Sequence, residues 1–110
     1  MKVIIVKPFT NPYVKEIKGD LKSMQVVVGG YIEAIYPFDN PEIALVCNEE
    51  GKLEGLQPNR FILNRNTGVC DFICGDFFLC YAPQDGEEFE SLPDELIQYY
   101  IDKFNMKKGA

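Results

Sequence analysis

Residues 29–60 constrain the fold of this chain more than any other stretch. They contain two apolar segments, residues 31–36 and 43–47, separated by a turn with two prolines. A charged turn and a polar exit loop follow the second segment. Short apolar segments rich in β-branched and aromatic residues, bounded by turn residues, predict β-strands. We therefore expect residues 29–60 to form the middle of one small sheet.

The residues before this stretch predict a hairpin and a short helix. Residues 2–7 are nearly continuous in β-branched residues, which indicates a strand buried on both faces. Residues 13–18 predict a partly exposed second strand, and the short connection between the two strands favours an antiparallel hairpin. Asp20 is suited to cap a helix, apolar residues follow at helical spacing, and Gly29 is placed to end that helix.

Beyond residue 47 the pattern is less regular. A turn with Gly51 at a positive φ is expected to lead into a short edge strand at residues 53–56, and then into a loop at residues 57–60. Residues 61–63, 69–73 and 76–81 predict three further short extended segments. Gly75 is expected to act as the hinge between the last two of these.

The last part of the chain predicts an amphipathic helix. Ser91 is expected to cap it, with Pro93 in its first turn. One face would carry apolar side chains (Leu96, Ile97, Tyr100, Ile101 and Phe104). Basic residues suited to the negative end of the helix dipole follow near its C-terminus (Lys103, Lys107 and Lys108).

Together these elements predict an α+β fold with a small mixed or antiparallel sheet. A short helix follows the first hairpin, and the amphipathic helix is C-terminal. A length of 110 residues favours a single domain, residues 1–110. Within it, residues 1–82 would form a sheet-rich core, and residues 83–110 an acidic loop with the closing helix.

The composition excludes several classes of chemistry. The chain has no histidine, which rules out Ser-His-Asp and Cys-His mechanisms. A net charge of −6 argues against direct binding to nucleic acid, which needs a basic surface. No apolar run is long enough to cross a membrane, and the first ten residues contain an apolar run of only four. We therefore expect no signal peptide, no membrane association and a cytoplasmic location.

Four cysteines (Cys47, Cys70, Cys74 and Cys80) have a spacing that matches no common zinc site. Large apolar residues surround most of them, which favours reduced, buried thiols that pack as small hydrophobic side chains. Use of these thiols in metal binding or redox chemistry is the alternative. We expect neither a metal nor a cofactor.

The candidate binding residues lie in the charged turn and the exit loop. Residues 31–102 carry fifteen acidic against three basic residues, whereas both ends of the chain are basic. Glu49, Glu50 and Glu54 belong to this acidic middle, and ordinary solubility is the alternative reason for their charge. Arg60, preceded by Asn59, follows an apolar sheet on a loop, where functional residues are often found. The alternative is a structural arginine that bonds loop carbonyls or a nearby glutamate.

Four segments carry a resemblance to a known family: VGGYIEAIYPF at residues 28–38, NEEGKL at 48–53, GLQPNR at 55–60 and GDFF at 75–78. In these segments the chain resembles the domain of unknown function 3846 family, found in Firmicutes, phages and conjugative elements. The resemblance covers most of residues 1–82. It implies a small cytosolic accessory protein of mobile-element origin, with no established activity to transfer. The family pattern has a small residue, often Thr, where Asp76 stands.

Three functions remain open at this point. The first is a non-enzymatic binding or interaction module with a protein partner. The second is an acidic protein that imitates nucleic acid against host defence and binds a basic partner, which requires carboxylates on one face at phosphate-like spacing. The third is an enzyme that uses Asp or Glu with a metal, which requires acids converging in a pocket. The oligomeric state cannot be predicted from these features.

Overall fold

A computed structural model describes residues 1–106, which form two antiparallel sheets and two helices. The strands are β1 (Lys2–Val6), β2 (Tyr13–Glu16), β3 (Ile32–Ile35), β4 (Ile43–Asn48), β5 (Pro58–Leu63), β6 (Cys70–Cys74) and β7 (Phe77–Tyr81). The helices are α1 (Leu21–Val28) and α2 (Asp94–Phe104). One sheet has the order β2-β1-β7-β4-β3, and β5 and β6 form a separate hairpin. The predicted α+β class is confirmed, and every strand pairing is antiparallel.

The central strands β1, β7 and β4 of the five-stranded sheet are buried on both faces, whereas the edge strand β2 is exposed. Alternate residues of β1 point to opposite sides, so Ile4 and Val6 lie in one apolar cluster, and Val3 and Ile5 lie in the other. The first cluster is closed by α2 and the β5–β6 hairpin, and the second by α1. The continuous apolar run of the first strand therefore predicts its burial correctly, because a strand covered on both faces needs no polar residue.

Helix α1 begins and ends where its capping residues predict. The Asp20 carboxylate accepts a hydrogen bond from the Ser23 N–H at 2.9 Å. Gly29 adopts a left-handed φ of 77° after the last turn, a conformation that costs glycine little. Met24 and Val28 face the sheet, so this short helix is stabilised by packing on β4 and β7.

Residues 29–60 do not form the middle of one sheet. β3 is an edge strand, and the expected loop at residues 57–60 contains the start of β5, which belongs to the second sheet. The expected edge strand at residues 53–56 is also wrong. The Glu54 N–H bonds the Glu50 carbonyl at 2.8 Å, so the chain coils in tight turns there instead of pairing with β4.

Gly51 has no positive φ, contrary to the sequence-based expectation, and it is Gly55 in this turn that adopts one, at 69°. A glycine at position 51 is required for another reason. A Cβ atom there would lie 2.6 Å from the Cys74 carbonyl oxygen, too close for any side chain. The turn after β4 therefore packs directly on the backbone at the end of β6.

The N-cap of helix α2 lies two residues after the expected one. The N-cap residue is Pro93 and makes no side-chain hydrogen bond, whereas the Ser91 hydroxyl accepts a hydrogen bond from the Lys2 N–H at 2.8 Å. Ser91 therefore connects the approach to α2 with β1. The predicted apolar face is confirmed, because all five of its side chains pack in or against the first cluster. Lys103 lies in the last turn, and Lys107 and Lys108 lie outside the described residues.

Candidate functional site

The turn that follows β4 carries three of the predicted binding residues, Glu49, Glu50 and Glu54, and a buried amide holds it in shape. The Asn48 side-chain oxygen accepts a hydrogen bond from the Glu50 N–H at 2.8 Å. Its nitrogen donates to the Val28 carbonyl and to the Glu54 carboxylate, each at 3.2 Å. Asn48 is only 6% exposed, so it fixes the turn to the end of α1 from inside. Asn48 was not predicted from the sequence, because an asparagine next to a charged turn indicates a loop residue.

A cleft of about 590 Å³ lies between this turn and the β5–β6 hairpin, and we call it the acidic cleft. Glu49 and Glu50 line it together with Glu33 of β3 and Asp71 of β6. Lys52 is the cleft's cation among the described residues. The cleft is therefore lined by four acidic residues and one lysine from three separate parts of the chain. Glu50 and Glu54 also line a smaller groove beside it.

The lysine of the acidic cleft is committed to one of the four acids. Its ammonium group lies 2.7 and 2.6 Å from the two oxygens of Asp71. It also lies 4.8 Å from the centre of the Phe72 ring, within the range of a cation–π interaction. The hydrogen bond from Lys52 holds the pKa of Asp71 below its ordinary value. Glu33, Glu49 and Glu50 make no salt bridge with any of residues 1–106.

Asn59 and Arg60, the other two predicted binding residues, lie on β5 and hydrogen-bond mainly to backbone carbonyls. The Asn59 amide donates to the carbonyls of Val6 and Gly75, each at 2.9 Å. The Arg60 guanidinium donates to the Phe104 carbonyl at 3.3 and 2.9 Å and to the Thr10 carbonyl at 2.7 Å. A further bond of 2.9 Å joins Arg60 to the Asn59 side chain.

This network matches the structural alternative that the sequence left open for Arg60. It ties the end of β1, the hinge before β7 and the C-terminal end of α2 to one strand. Burial lowers the pKa of Arg60 from its ordinary value, and the carbonyl oxygens around the guanidinium replace water. A direct role of Asn59 and Arg60 in ligand binding stays a prediction.

A second concave surface lies between β5 and α2, and we call it the hairpin groove. Its volume is about 490 Å³. It is lined by residues 37–40 and 60–63, by Arg65, and by one side of α2 that includes Tyr99 and Lys103. Phe61 and Tyr99 stand on its rim with 74% and 62% of their surface exposed. Sequence reasoning missed this groove, because its walls are 38 residues apart between Phe61 and Tyr99.

The four cysteines are free thiols, and three of them are buried as expected. Burial raises the pKa of the Cys80 thiol to about 12. Burial, followed by the charge of Glu33, raises the pKa of Cys47 to about 12 as well. Cys70 is an exception, because it lies at the exposed start of β6 next to the turn.

We expect thiol titration of the native protein to give one fast-reacting thiol, Cys70, and three slow ones. Burial shields the three slow thiols from the reagent, and at Cys47 and Cys80 the raised pKa also lowers the fraction of reactive thiolate. A chromogenic disulfide reagent at neutral pH measures this, and all four thiols should react once the chain is unfolded. The Cys70→Ser variant should lose the fast phase and retain its stability. Fast reaction of Cys47 or Cys80 in the native protein would contradict the burial described above.

The remaining acidic pairs do not converge with the acidic cleft. Asp94 pairs with Lys2 at 2.9 Å, and Glu87 and Glu88 lie exposed in the loop that precedes α2. Within residues 1–106, no three side chains of Cys, Asp or Glu come together in a group that could hold a metal ion. No helix in the same residues is both long and apolar enough to span a bilayer.

The fold and its two concave surfaces define a small α+β protein with an acidic cleft on one side of a hairpin and an aromatic, cation-bearing groove on the other. Over residues 1–105 the chain matches the family described as Domain of unknown function (DUF3846), and it belongs to that family. The match extends through α2, beyond the part of the chain in which the resemblance was found in the sequence. Searches of curated proteins and of solved structures found no significant match.

Proposed function

We propose that this protein is a non-enzymatic binding module whose acidic cleft takes a basic segment of a partner protein. The observation that carries the proposal is the position of Glu49 and Glu50 in one cleft with Glu33 and Asp71. Lys52, the one lysine that lines the same cleft among residues 1–106, is already bonded to Asp71. The cleft thus keeps an excess of negative charge that a cationic side chain of a partner would neutralise.

The other linings of the cleft suit the same occupant. Lysine and arginine have apolar stems as well as charged tips. The acidic cleft offers apolar surface to such a stem at Ile35 and Ile73, which are partly buried, and at Leu53, which is 87% exposed. The buried amide of Asn48 holds the acidic turn in place before binding. A preorganised turn lowers the entropy cost of association.

The setting is part of this proposal. The resemblance implies phages and conjugative elements, and in the cytoplasm of their hosts a basic partner is typically a protein that binds nucleic acid. A narrower form of the proposal is that the carboxylates stand in for phosphates, so that the protein occupies the partner's nucleic-acid site. Competition by duplex DNA for a purified partner tests this narrower form, because a mimic and DNA cannot occupy that site together.

Charge reversal in the acidic cleft tests the proposal. The Glu49→Lys/Glu50→Lys variant should slow association with a fluorescent oligolysine peptide by about tenfold or more at low salt, because attraction between exposed charges acts mainly on the association rate. Stopped-flow fluorescence measures this rate. The matched control is Glu87→Lys/Glu88→Lys, which changes the net charge equally on the exposed loop before α2. Glu54→Gln retains an acceptor for Asn48 and should weaken binding without unfolding the turn.

The two double variants separate a site from a general charge effect. We expect the Glu87→Lys/Glu88→Lys variant to bind the peptide nearly as fast as the unmodified protein. Binding of the peptide to the unmodified protein should weaken as salt rises, since charges are screened over about 8 Å at physiological salt. Equal losses in both double variants would mean that the peptide responds only to net charge. Affinity that ignores salt would also contradict the proposal.

A further inference from the structure

The strand β5 has one edge that pairs with β6 and one that faces the hairpin groove. Because the Asn64 N–H bonds the Val69 carbonyl at 2.9 Å, the alternation of an antiparallel ladder directs the backbone groups of Ile62 toward β6. The N–H and C=O groups of Phe61 and Leu63 then point the other way. None of residues 1–106 outside the hairpin bonds these groups, and both side chains are exposed.

An open strand edge of this kind binds extended peptides. A peptide that adds to a sheet edge gains main-chain hydrogen bonds, and its alternate side chains enter pockets on one face. Here the groove beside the edge has an apolar floor that includes Phe38 and Tyr100, which are 5% and 3% exposed. On the rim, Phe61 and Tyr99 present apolar surface to the same occupant.

The charge of the hairpin groove is opposite to that of the protein as a whole. Arg65 and Lys103 line the groove, and Asp39 is the one acid among its described lining residues. Arg60, at the end of the groove, is already bonded to backbone carbonyls. No carboxylate of residues 1–106 lies within 4.0 Å of the Arg65 or Lys103 side-chain nitrogens. Cations without an ion pair, in a protein of net charge −6, favour an acidic occupant.

The backbone at Arg65 is held in a defined position. Its own N–H bonds the Pro37 carbonyl at 2.8 Å, and the neighbouring Asn66 side chain bonds the Tyr36 carbonyl at 2.8 Å. The Asn64 side chain accepts two further hydrogen bonds, from the N–H groups of Asn66 and Thr67. The backbone of the turn that carries Arg65 is thus fixed to the wall of the groove, and the exposed Arg65 side chain is accessible to a carboxylate.

We propose that an extended acidic peptide segment of a partner protein binds in the hairpin groove as a third strand on β5. Its backbone pairs with Phe61 and Leu63, and its acidic side chains reach Arg65 and Lys103. Its apolar side chains alternate with the acidic ones and enter the floor of the groove. This site differs from the acidic cleft, whose proposed occupant has the opposite charge, although Pro37 and Ile62 line both.

The probe is a fluorescent peptide of alternating glutamate and valine. The matched control is the same peptide with N-methyl groups on every second residue, at the N–H groups that would pair with β5. The two peptides carry the same side chains and the same charge. Loss of main-chain hydrogen bonds should weaken binding by about tenfold. Fluorescence anisotropy measures both affinities. Equal affinity of the two peptides would contradict strand addition.

The protein variants test the charge of the same site. The Arg65→Ala/Lys103→Ala variant should bind the unmethylated peptide with an affinity lower by about tenfold or more, because two carboxylate contacts are lost. Lys15→Ala/Lys22→Ala, which removes two exposed lysines elsewhere, should leave the affinity nearly unchanged. Equal losses in both variants would overturn the proposal. So would sedimentation of a dimer that dissociates in Arg65→Ala/Lys103→Ala, because a second copy of this chain would then be the occupant.

Discussion

The Phe104→Ala variant is expected to lower the free energy of unfolding by about 3–5 kcal/mol, the usual range for a buried phenylalanine cut to alanine. Phe104 is 4% exposed in the last turn of α2. Its ring packs edge-on against Phe77 and Phe38, with ring centres 5.7 and 6.1 Å apart. The truncation would leave a cavity between α2 and the central strand β7, and neither neighbour can close it without leaving its own packing position.

Urea unfolding followed by circular dichroism measures this effect. Gln98→Ala is the matched control, because Gln98 is exposed on the same helix, and its change should stay within about 0.5 kcal/mol. An unchanged unfolding midpoint in Phe104→Ala would mean that α2 does not pack on the sheet in solution. Its apolar face would then be a surface for a partner.

The Arg60→Ala variant is expected to lower the free energy of unfolding by about 2–3 kcal/mol. Hydrogen bonds from a charged group contribute about 1.5–3 kcal/mol, and Arg60 donates to the carbonyls of both Phe104 and Thr10. Arg60→Lys should recover less than half of the loss, because a single ammonium group cannot reproduce the planar fork that spans two carbonyls. Hydrogen exchange should also become faster at the C-terminal end of α2.

The exposed Arg65 provides the control for this experiment, because Arg65→Ala removes the same side chain five positions later. Its effect on unfolding should stay within about 0.5 kcal/mol. Equal stability of the Arg60 and Arg65 variants would contradict the structural role of the network. In that case the carbonyls that Arg60 contacts are satisfied equally well by water.

The elements that could be predicted from the sequence are those whose patterns are local. Continuous β-branched residues identified β1, capping residues identified the limits of α1, and an apolar helical face identified α2. The second sheet could not be predicted, because pairing between Phe61 and Phe72 depends on a register set by the intervening turn. The strand predicted at residues 53–56 is wrong for a related reason, since the sequence of a few residues does not distinguish strand pairing from a tight turn.

The same distinction applies to the candidate sites. Glu49 and Glu50 were identified because adjacent carboxylates in a turn are visible in the sequence. Glu33 and Asp71 join them only because β3 pairs with β4 and the β5–β6 hairpin folds over the turn. The hairpin groove depends on α2 lying beside β5, which no local pattern encodes. Exposure of Cys70 likewise follows from its place at the outer end of β6, although its apolar neighbours favoured burial.

The most direct test of the proposed function is a map of where a basic ligand contacts the protein. Backbone amide chemical shifts, recorded while an oligolysine peptide is added at moderate salt, supply that map. The proposal predicts that the largest shifts fall in residues 48–54, with further shifts at Glu33 and Asp71, and that an acetylated peptide without charge produces none. Shifts concentrated instead in the exposed acidic loop of residues 85–90, or spread evenly over all acidic residues, would contradict a binding site in the acidic cleft.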